Sequence, residues 1–432
     1  MSGKILLKKA TRIEGNANIH IEVEDGHVRE ARFVVQEFRG FERFMKGRKI
    51  EFVPQLVSRI CGLCSTAHQV ASLKAIEDAL ALEVPQSVRT LREIAVLGEW
   101  ISSHAFSYFF LSIPDFVDAS GGVFELVHRQ PEIATEAFAL RKAGMRIVEL
   151  LGKRAVHAVA MKVGGFSFMP GAADLDEVRG IAAEVKNRTA RLITQAGGGH
   201  VGGNKIVFPT EQQVNFLVYD GPEKNVFRSY SQTGEVTAEF TCDEFEDNIS
   251  EMRAEWTFAK FPYLTRYGFP EGIMLVGPIS RSFQKGGFLD DSELADFELT
   301  GQLRERSSVS LESFDVCRLL EIHWAAKRIL SLLEQVEIGR LDTDFNPQLS
   351  GQGFGVLEAP RGVLMHSYLV NRGCIERMRL LVATQFNNAF INLLIRDLAE
   401  KHLEGNGLSR EGERLICRCV RIFDPCLSCA TH

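Results

Sequence analysis

The chain has no long hydrophobic run, no excess of basic charge and few cysteines, and each shortage removes a class of function. Its most membrane-like stretch, Trp100 to Pro114, is too short and too polar to cross a bilayer, which takes about 20 apolar residues. No direct membrane insertion is therefore expected. The start, Met1 to Lys9, lacks an apolar run of secretory length, and twin arginines are absent. With 50 Lys+Arg against 56 Asp+Glu the formal charge is -6, which leaves no electrostatic footprint for nucleic acid. Nine cysteines in 432 residues, odd in number and unpatterned apart from two pairs, speak against an oxidising compartment. A cytoplasmic location is expected.

Internal repeats, low-complexity tracts and linkers are also missing. Glycine clusters at Gly197-Gly198-Gly199 with Gly202-Gly203, and from Gly351 to Gly355, mark turns or close backbone approaches. Neither is followed by Lys-Ser/Thr or lies in a strand–helix–strand pattern, so a phosphate loop is not expected. Around Asp25-Gly26, alternation of Ile19, Ile21 and Val23 and then of Val28 to Val35 predicts a hairpin over about 15–36. From about residue 68 the period becomes helical, and long helices are predicted over 132–162, 175–196, 310–336 and 373–403. The segment 204–290, rich in aromatics, Gly and Pro, reads as short strands and irregular structure. The expected fold is α+β, mainly α: a large single domain over 1–432 with a long-helix core and peripheral antiparallel strands.

What the sequence does have is two Cys-x-x-Cys pairs near its opposite ends, each followed by a histidine. They read Arg59-Ile60-Cys61-Gly62-Leu63-Cys64-Ser65-Thr66-Ala67-His68 and Asp424-Pro425-Cys426-Leu427-Ser428-Cys429-Ala430-Thr431-His432. Four thiolates brought together make a soft metal site, usually tetrahedral zinc or an iron–sulfur centre, but such sites tend to be stitched within a small module. A chain that spends almost its whole length bringing the pairs together favours chemistry at its centre over stapling. His104, His157 and His366 have no spacing that ties them to metal and read as structural.

Both motifs resemble the signatures of the nickel–iron hydrogenase large subunit, R-x-C-G-x-C-x-x-x-H and D-P-C-x-x-C-x-x-H, at every fixed position. Arg12-Ile13-Glu14-Gly15, Ser112 to Phe116, Gly277 to Arg281 and Glu358-Ala359-Pro360-Arg361-Gly362 resemble further family segments in the same order. Departures are Gly152 to Ala158, where relatives tend to show His-Pro, and Ala383-Thr384 in place of Pro-Thr. Neither touches a ligand.

The resemblance implies that Cys61, Cys64, Cys426 and Cys429 bind nickel, and that Cys64 and Cys429 also bridge to an iron carrying carbon monoxide and cyanide. Thiolates stabilise nickel through redox change, which zinc does not undergo. By the same resemblance Glu14 relays protons beside Cys426. His68 falls one helical turn after Cys64, so its imidazole is expected to hydrogen-bond the Cys64 sulfur. Arg361 reaches over the metals with its backbone fixed by Pro360 and its charge offset by Asp115 and Asp424. Glu42 and His432 would hold a second ion, commonly magnesium, which needs few protein anchors.

Electrons released from hydrogen must leave the chain, because Cys242, Cys317, Cys374, Cys417 and Cys419 form no further cluster motif and no Gly-x-Gly-x-x-Gly segment follows a strand. The chain itself is therefore expected to bind no iron–sulfur cluster, flavin or NAD. As partner the resemblance supplies an iron–sulfur small subunit, with flavin- and NAD(P)-binding and further iron–sulfur subunits beyond it, and ferredoxin as a further candidate acceptor. A membrane-associated or heterodisulfide-reductase-linked hydrogenase is one alternative. A zinc-stapled scaffold is another, of a different class.

Overall fold

A computed structural model describes residues 3–7, 11–116, 122–168, 170–197, 208, 214–221, 225–284, 287–295, 297, 300, 303, 310–336, 342–405 and 407–432. The first glycine cluster lies largely outside these residues. The N-terminal sheet is antiparallel, with β1 (Gly3–Leu7), β2 (Ala17–Glu24) and β3 (His27–Val35) in spatial order. Asp25 and Gly26, both at positive φ, turn the predicted hairpin, as Asp-Gly pairs do when the twist of the turn must match that of the strands. β1 is an addition that the sequence reading did not predict.

Helices follow: α1 (Ser65–Ala79), α2 (Gln86–Phe106), α3 (Pro131–Gly152) and α4 (Ala172–Gly197). Strands β4 (Asn215–Tyr219), β5 (Val226–Tyr230), β6 (Val236–Thr241), β7 (Ile249–Met252), β8 (Phe261–Leu264) and β9 (Met274–Leu275) occupy the segment read as strand-containing. Of these, only the β9–β4 pair is parallel among the described strands. The chain closes with α5 (Ser313–Glu334), β10 (Gly351–Ala359), β11 (Gly362–Asn371), β12 (Cys374–Leu381), α6 (Ala383–Lys401) and α7 (Arg410–Phe423). The mainly helical α+β fold is as expected, with α2 packed on α3 and α5, and α5 on α4.

Two predicted helices are shorter than expected. α3 stops at Gly152 because Lys153 takes a left-handed conformation, and residues 161–166 form a small hairpin instead. More instructive is 373–403, whose first part is strand β12. Ile375, Met378 and Leu381 fall three apart and imitate a helical stripe, yet Arg372 and Gly373 at positive φ reverse the chain and pair β12 with β11. Tertiary pairing overrides the local period.

Strand β10 explains how α1 is held. Gly351, Gly353 and Gly355 share one face, and a Cβ on any of them would lie within 2.2 Å of backbone in Ala71 or Ala79. Glycine here serves close approach, not a turn: a glycine row lies against the alanine row of α1. Strand and helix are thus locked backbone to backbone just after the first cysteine pair. The β10–β11 hairpin turns through Pro360 and Arg361, between the paired residues Ala359 and Gly362.

Candidate metal centre

Cys61 follows a single 3-10 turn, Ser58–Ile60, in extended conformation, and Cys64 occupies the cap position of α1. A helix start leaves backbone N–H groups without partners, normally met by a Ser, Thr, Asp or Asn cap. Cysteine has no oxygen for the task. Glu99 from α2 performs it instead, accepting from Thr66 N at 2.7 Å and Ala67 N at 3.0 Å, so the Cys64 sulfur is left free to face elsewhere. Burial raises the Glu99 carboxyl to about 7 despite these bonds.

The second pair is set by the end of α7. Asp424 takes a left-handed conformation, Pro425 forbids continuation, Cys426 is extended and Cys429 lies on a short helical turn, Leu427–Ala430. All four sulfurs are buried and lie within 4.8 Å of one another. Cys426 is 3.2 Å from Cys61 and 2.8 Å from Cys429, and Cys64 is 3.3 Å from Cys429. Hydrogen bonds from its sulfur neighbours hold Cys61 well below the ordinary thiol range, whereas burial pushes Cys426 and Cys429 well above it. Four thiolates without a cation cannot all be ionised in so small a buried volume.

Cys64, Cys426 and Cys429 border a cavity of about 20 Å³ that Arg361, His68 and Thr384 also wall. Arg361 reaches it from the hairpin tip. Its Nε donates to the Asp424 carbonyl at 2.7 Å and its Nη2 to the Asp424 carboxylate at 2.9 Å, while Nη1 is buried without a protein partner. Burial opposes the charge, but Asp424 and the cysteine sulfurs outweigh it and keep the guanidinium protonated. Asp115 is not among its partners. That carboxylate is taken by Arg12 and, at 2.9 Å, by Arg421, which lies on α7 three residues before Asp424. The sequence reading of Asp115 as a counter-charge to Arg361 is thus corrected, because two nearer guanidiniums occupy it.

Glu14 is brought to the cluster by backbone pairing. It bridges to Cys426 in parallel fashion, and its carbonyl accepts from Leu427 N at 3.2 Å. Gly15 follows at φ +91, where a Cβ would strike Leu427 at 2.7 Å. The carboxylate accepts from Ser428 N at 2.9 Å and from the Ser428 hydroxyl, and lies 3.4 Å from the Cys426 sulfur. His68 Nε2 lies 3.4 Å from Cys429 Sγ, not against the Cys64 sulfur four residues before it. At the chain end, His432 Nδ1 meets the Cys429 carbonyl at 2.6 Å. Its Nε2 is buried, unbonded, and 3.5 Å from a Glu42 oxygen that also accepts from Leu380 N.

Residues 39–136 and 212–432 match the description of nickel-dependent hydrogenases, and 4–38 match a segment described as HoxL-like. The chain belongs to the nickel-dependent hydrogenase family. This hydrogenase is 30% identical to one component of the F420-non-reducing hydrogenase of Methanothermobacter marburgensis, over 99% of this chain and 94% of that one. It is 28% identical to the NAD-reducing hydrogenase HoxS subunit beta of Cupriavidus necator, over 100% and 95%. An NAD+-reducing [NiFe]-hydrogenase in the H2-reduced state superposes with a TM-score of 0.85 at 27% identity, covering 99% of each chain. Family and fold decide against a zinc-stapled scaffold. The relatives' names denote subunits, and among the described residues no helix is long and apolar enough to cross a membrane.

The residues present fit a nickel–iron centre: four buried sulfurs at ligand spacing, and a guanidinium N–H without a partner beside the cavity they border. Sequence reasoning gave no role at the site to three residues that the structure places around it. Glu99 caps the helix that follows Cys64, Arg281 binds the carbonyls of Ala359 and Pro360 at 3.0 Å, and His366 Nε2 meets His68 Nδ1 at 3.0 Å. The His366-Ser367-Tyr368 polar run in the apolar interior of strand β11 was the available signal for the last.

Proposed function

We propose that this chain is the hydrogen-activating component of a cytoplasmic hydrogenase complex coupled to NAD(P). Cys61, Cys64, Cys426 and Cys429 would hold nickel, with Cys64 and Cys429 shared by an iron bearing carbon monoxide and cyanide, and Glu42 with His432 would hold magnesium or a similar ion. When bound, the two-metal centre supplies the heterolytic splitting of hydrogen. The observation that carries this reading is the convergence of both cysteine pairs, Glu14 and Arg361 on one buried point.

The protein's own residues then have separate tasks. Glu14 Oε2, 3.4 Å from Cys426 Sγ, takes a proton from that sulfur, and the two Ser428 donors hold the carboxylate in place to receive it. Arg361 presents Nη1 to the cavity while Asp424 fixes the plane of its fork. Ala359 and Leu364 of the β10–β11 hairpin, with Val382 and Ala383, give the cavity an apolar lining.

Electrons pass to an iron–sulfur small subunit, then onward through flavin- and NAD(P)-binding subunits, with ferredoxin as a further acceptor. The likeness to the NAD-reducing relative and to the NAD+-reducing structure supports this order. The likeness to a relative named as F420-non-reducing leaves a different acceptor, such as a heterodisulfide reductase, as the second reading. The test is hydrogen-dependent reduction by the complex with its co-purifying subunits. NAD(P) reduction by the complex and none by the lone chain is the expected result. Hydrogen-dependent NAD reduction by the lone chain, shown pure by mass spectrometry, would overturn the multi-subunit reading.

A further inference from the structure

Cys429 sits at the end of a buried hydrogen-bond chain. His68 Nε2 lies 3.4 Å from its sulfur, His68 Nδ1 lies 3.0 Å from His366 Nε2, and His366 Nδ1 lies 2.6 Å from Tyr368 Oη. His68 is 1% exposed, and His366 and Tyr368 are 0% exposed, so water cannot stand in for any of these partners. Two positions apart on β11, His366 and Tyr368 present their side chains to one face.

A neutral imidazole has one N–H and one lone pair, so in a series of three contacts the placement of one proton fixes the others. Both rings are buried and neither meets a carboxylate among the described residues, an environment that favours the neutral form. A thiolate shared by two metals, as Cys429 is read here, has no proton to give. His68 Nε2–H must therefore donate to Cys429, His366 Nε2–H must donate to His68 Nδ1, and the Tyr368 hydroxyl must donate to His366 Nδ1. Donors aligned head to tail polarise one another. No group in the chain changes protonation and no proton is transferred along it.

We infer that His366 and Tyr368 are positioning residues that fix the tautomer of His68 and strengthen its hydrogen bond to Cys429, thereby setting how much electron density that sulfur gives the metals. The inference rests on the reading of Cys429 as a ligand shared by nickel and iron. Outer partners of metal ligands commonly tune a centre in this way.

Infrared spectra of the loaded complex read the effect directly. Weaker donation to the sulfur leaves the metals richer in electrons and the carbon monoxide stretch at lower wavenumber. His366→Leu, which removes both ring nitrogens, should move that band down. Tyr368→Phe should move it the same way by less, and His366→Gln, whose amide can donate to His68 and accept from Tyr368, should restore it. Should His366→Leu fail to load metal, Tyr368→Phe carries the test alone. A band unmoved or raised in the loaded variants would overturn the chain. Absence of any carbon monoxide band from the unaltered complex would instead overturn the nickel–iron reading beneath it.

Discussion

Arg281 and Arg361 are both buried and both belong to segments resembling family motifs, yet they are satisfied in opposite ways. Arg281 donates to Glu321 through Nε and Nη2, to Glu358 and the Ala359 carbonyl through Nη1, and to the Pro360 carbonyl through Nη2. Its guanidinium also lies 4.2 Å from the Trp100 ring centre. Nothing is left over. Arg361 commits Nε and Nη2 to Asp424 and leaves Nη1 without a protein partner beside the cavity. A buried donor without a partner costs about 1–3 kcal/mol, so where a fold tolerates one beside a metal site, that donor is kept for a ligand. The saturated arginine holds the hairpin in place; the unsaturated one, at that hairpin's tip, faces the chemistry.

Substitutions should separate these roles. Arg281→Met leaves the buried carboxylates of Glu321 and Glu358 without their shared guanidinium and is expected to cost about 3–5 kcal/mol, with loss of metal loading and of all activity. Thermal unfolding and elemental analysis read this out, and a stable, fully loaded variant would remove the distinction. Arg361→Lys keeps the charge beside Asp424 and should leave nickel, iron and melting temperature near normal while hydrogen oxidation falls by about 100-fold to 1000-fold, as for a lost fixed donor. Comparable activity in the loaded variant would deny Arg361 its role.

Glu14→Gln should retain the metals and slow hydrogen–deuterium exchange with solvent by about 100-fold, because an amide cannot pass on a proton. An unchanged exchange rate would move the relay elsewhere. The smallest effect concerns the carboxylates. Burial pushes Glu321 up, but Arg281 outweighs it and holds it below the ordinary value, whereas Glu99, with no cation, stands at about 7 against an ordinary 4.5. The Glu99 contribution is therefore full below about 4.5 and is lost as pH rises through 7. Melting temperature measured across that window should fall through this group, and Glu99→Gln should flatten that part of the slope.

The converging cysteines were legible because each pair is local in sequence and carries its spacing with it. Glu14 and Arg361, which reach the same point, stood out through short flanking segments, and the N-terminal hairpin through Asp25-Gly26. What escaped depends on partners far apart in the chain. Glu99 meets Thr66, Arg281 meets Glu321 and Glu358, and His366 meets His68 only after the helices and the β10–β12 sheet have packed. Asp115 was given to the wrong arginine for the same reason. A sequence can mark it as a needed carboxylate but cannot say that Arg12 and Arg421 stand closer. Strand β12 failed differently, since Ile375, Met378 and Leu381 fit a helical period as well as a strand turned by Arg372-Gly373.

The central claim is that four buried sulfurs at the junction of the two chain ends hold nickel and iron. Elemental analysis of the purified complex together with its infrared spectrum tests it most directly. Nickel equimolar with this chain, iron in excess of it, and bands of metal-bound carbon monoxide and cyanide that vanish on replacing Cys64 or Cys429 are the predicted result. Zinc on the four cysteines, with no such bands, would contradict it.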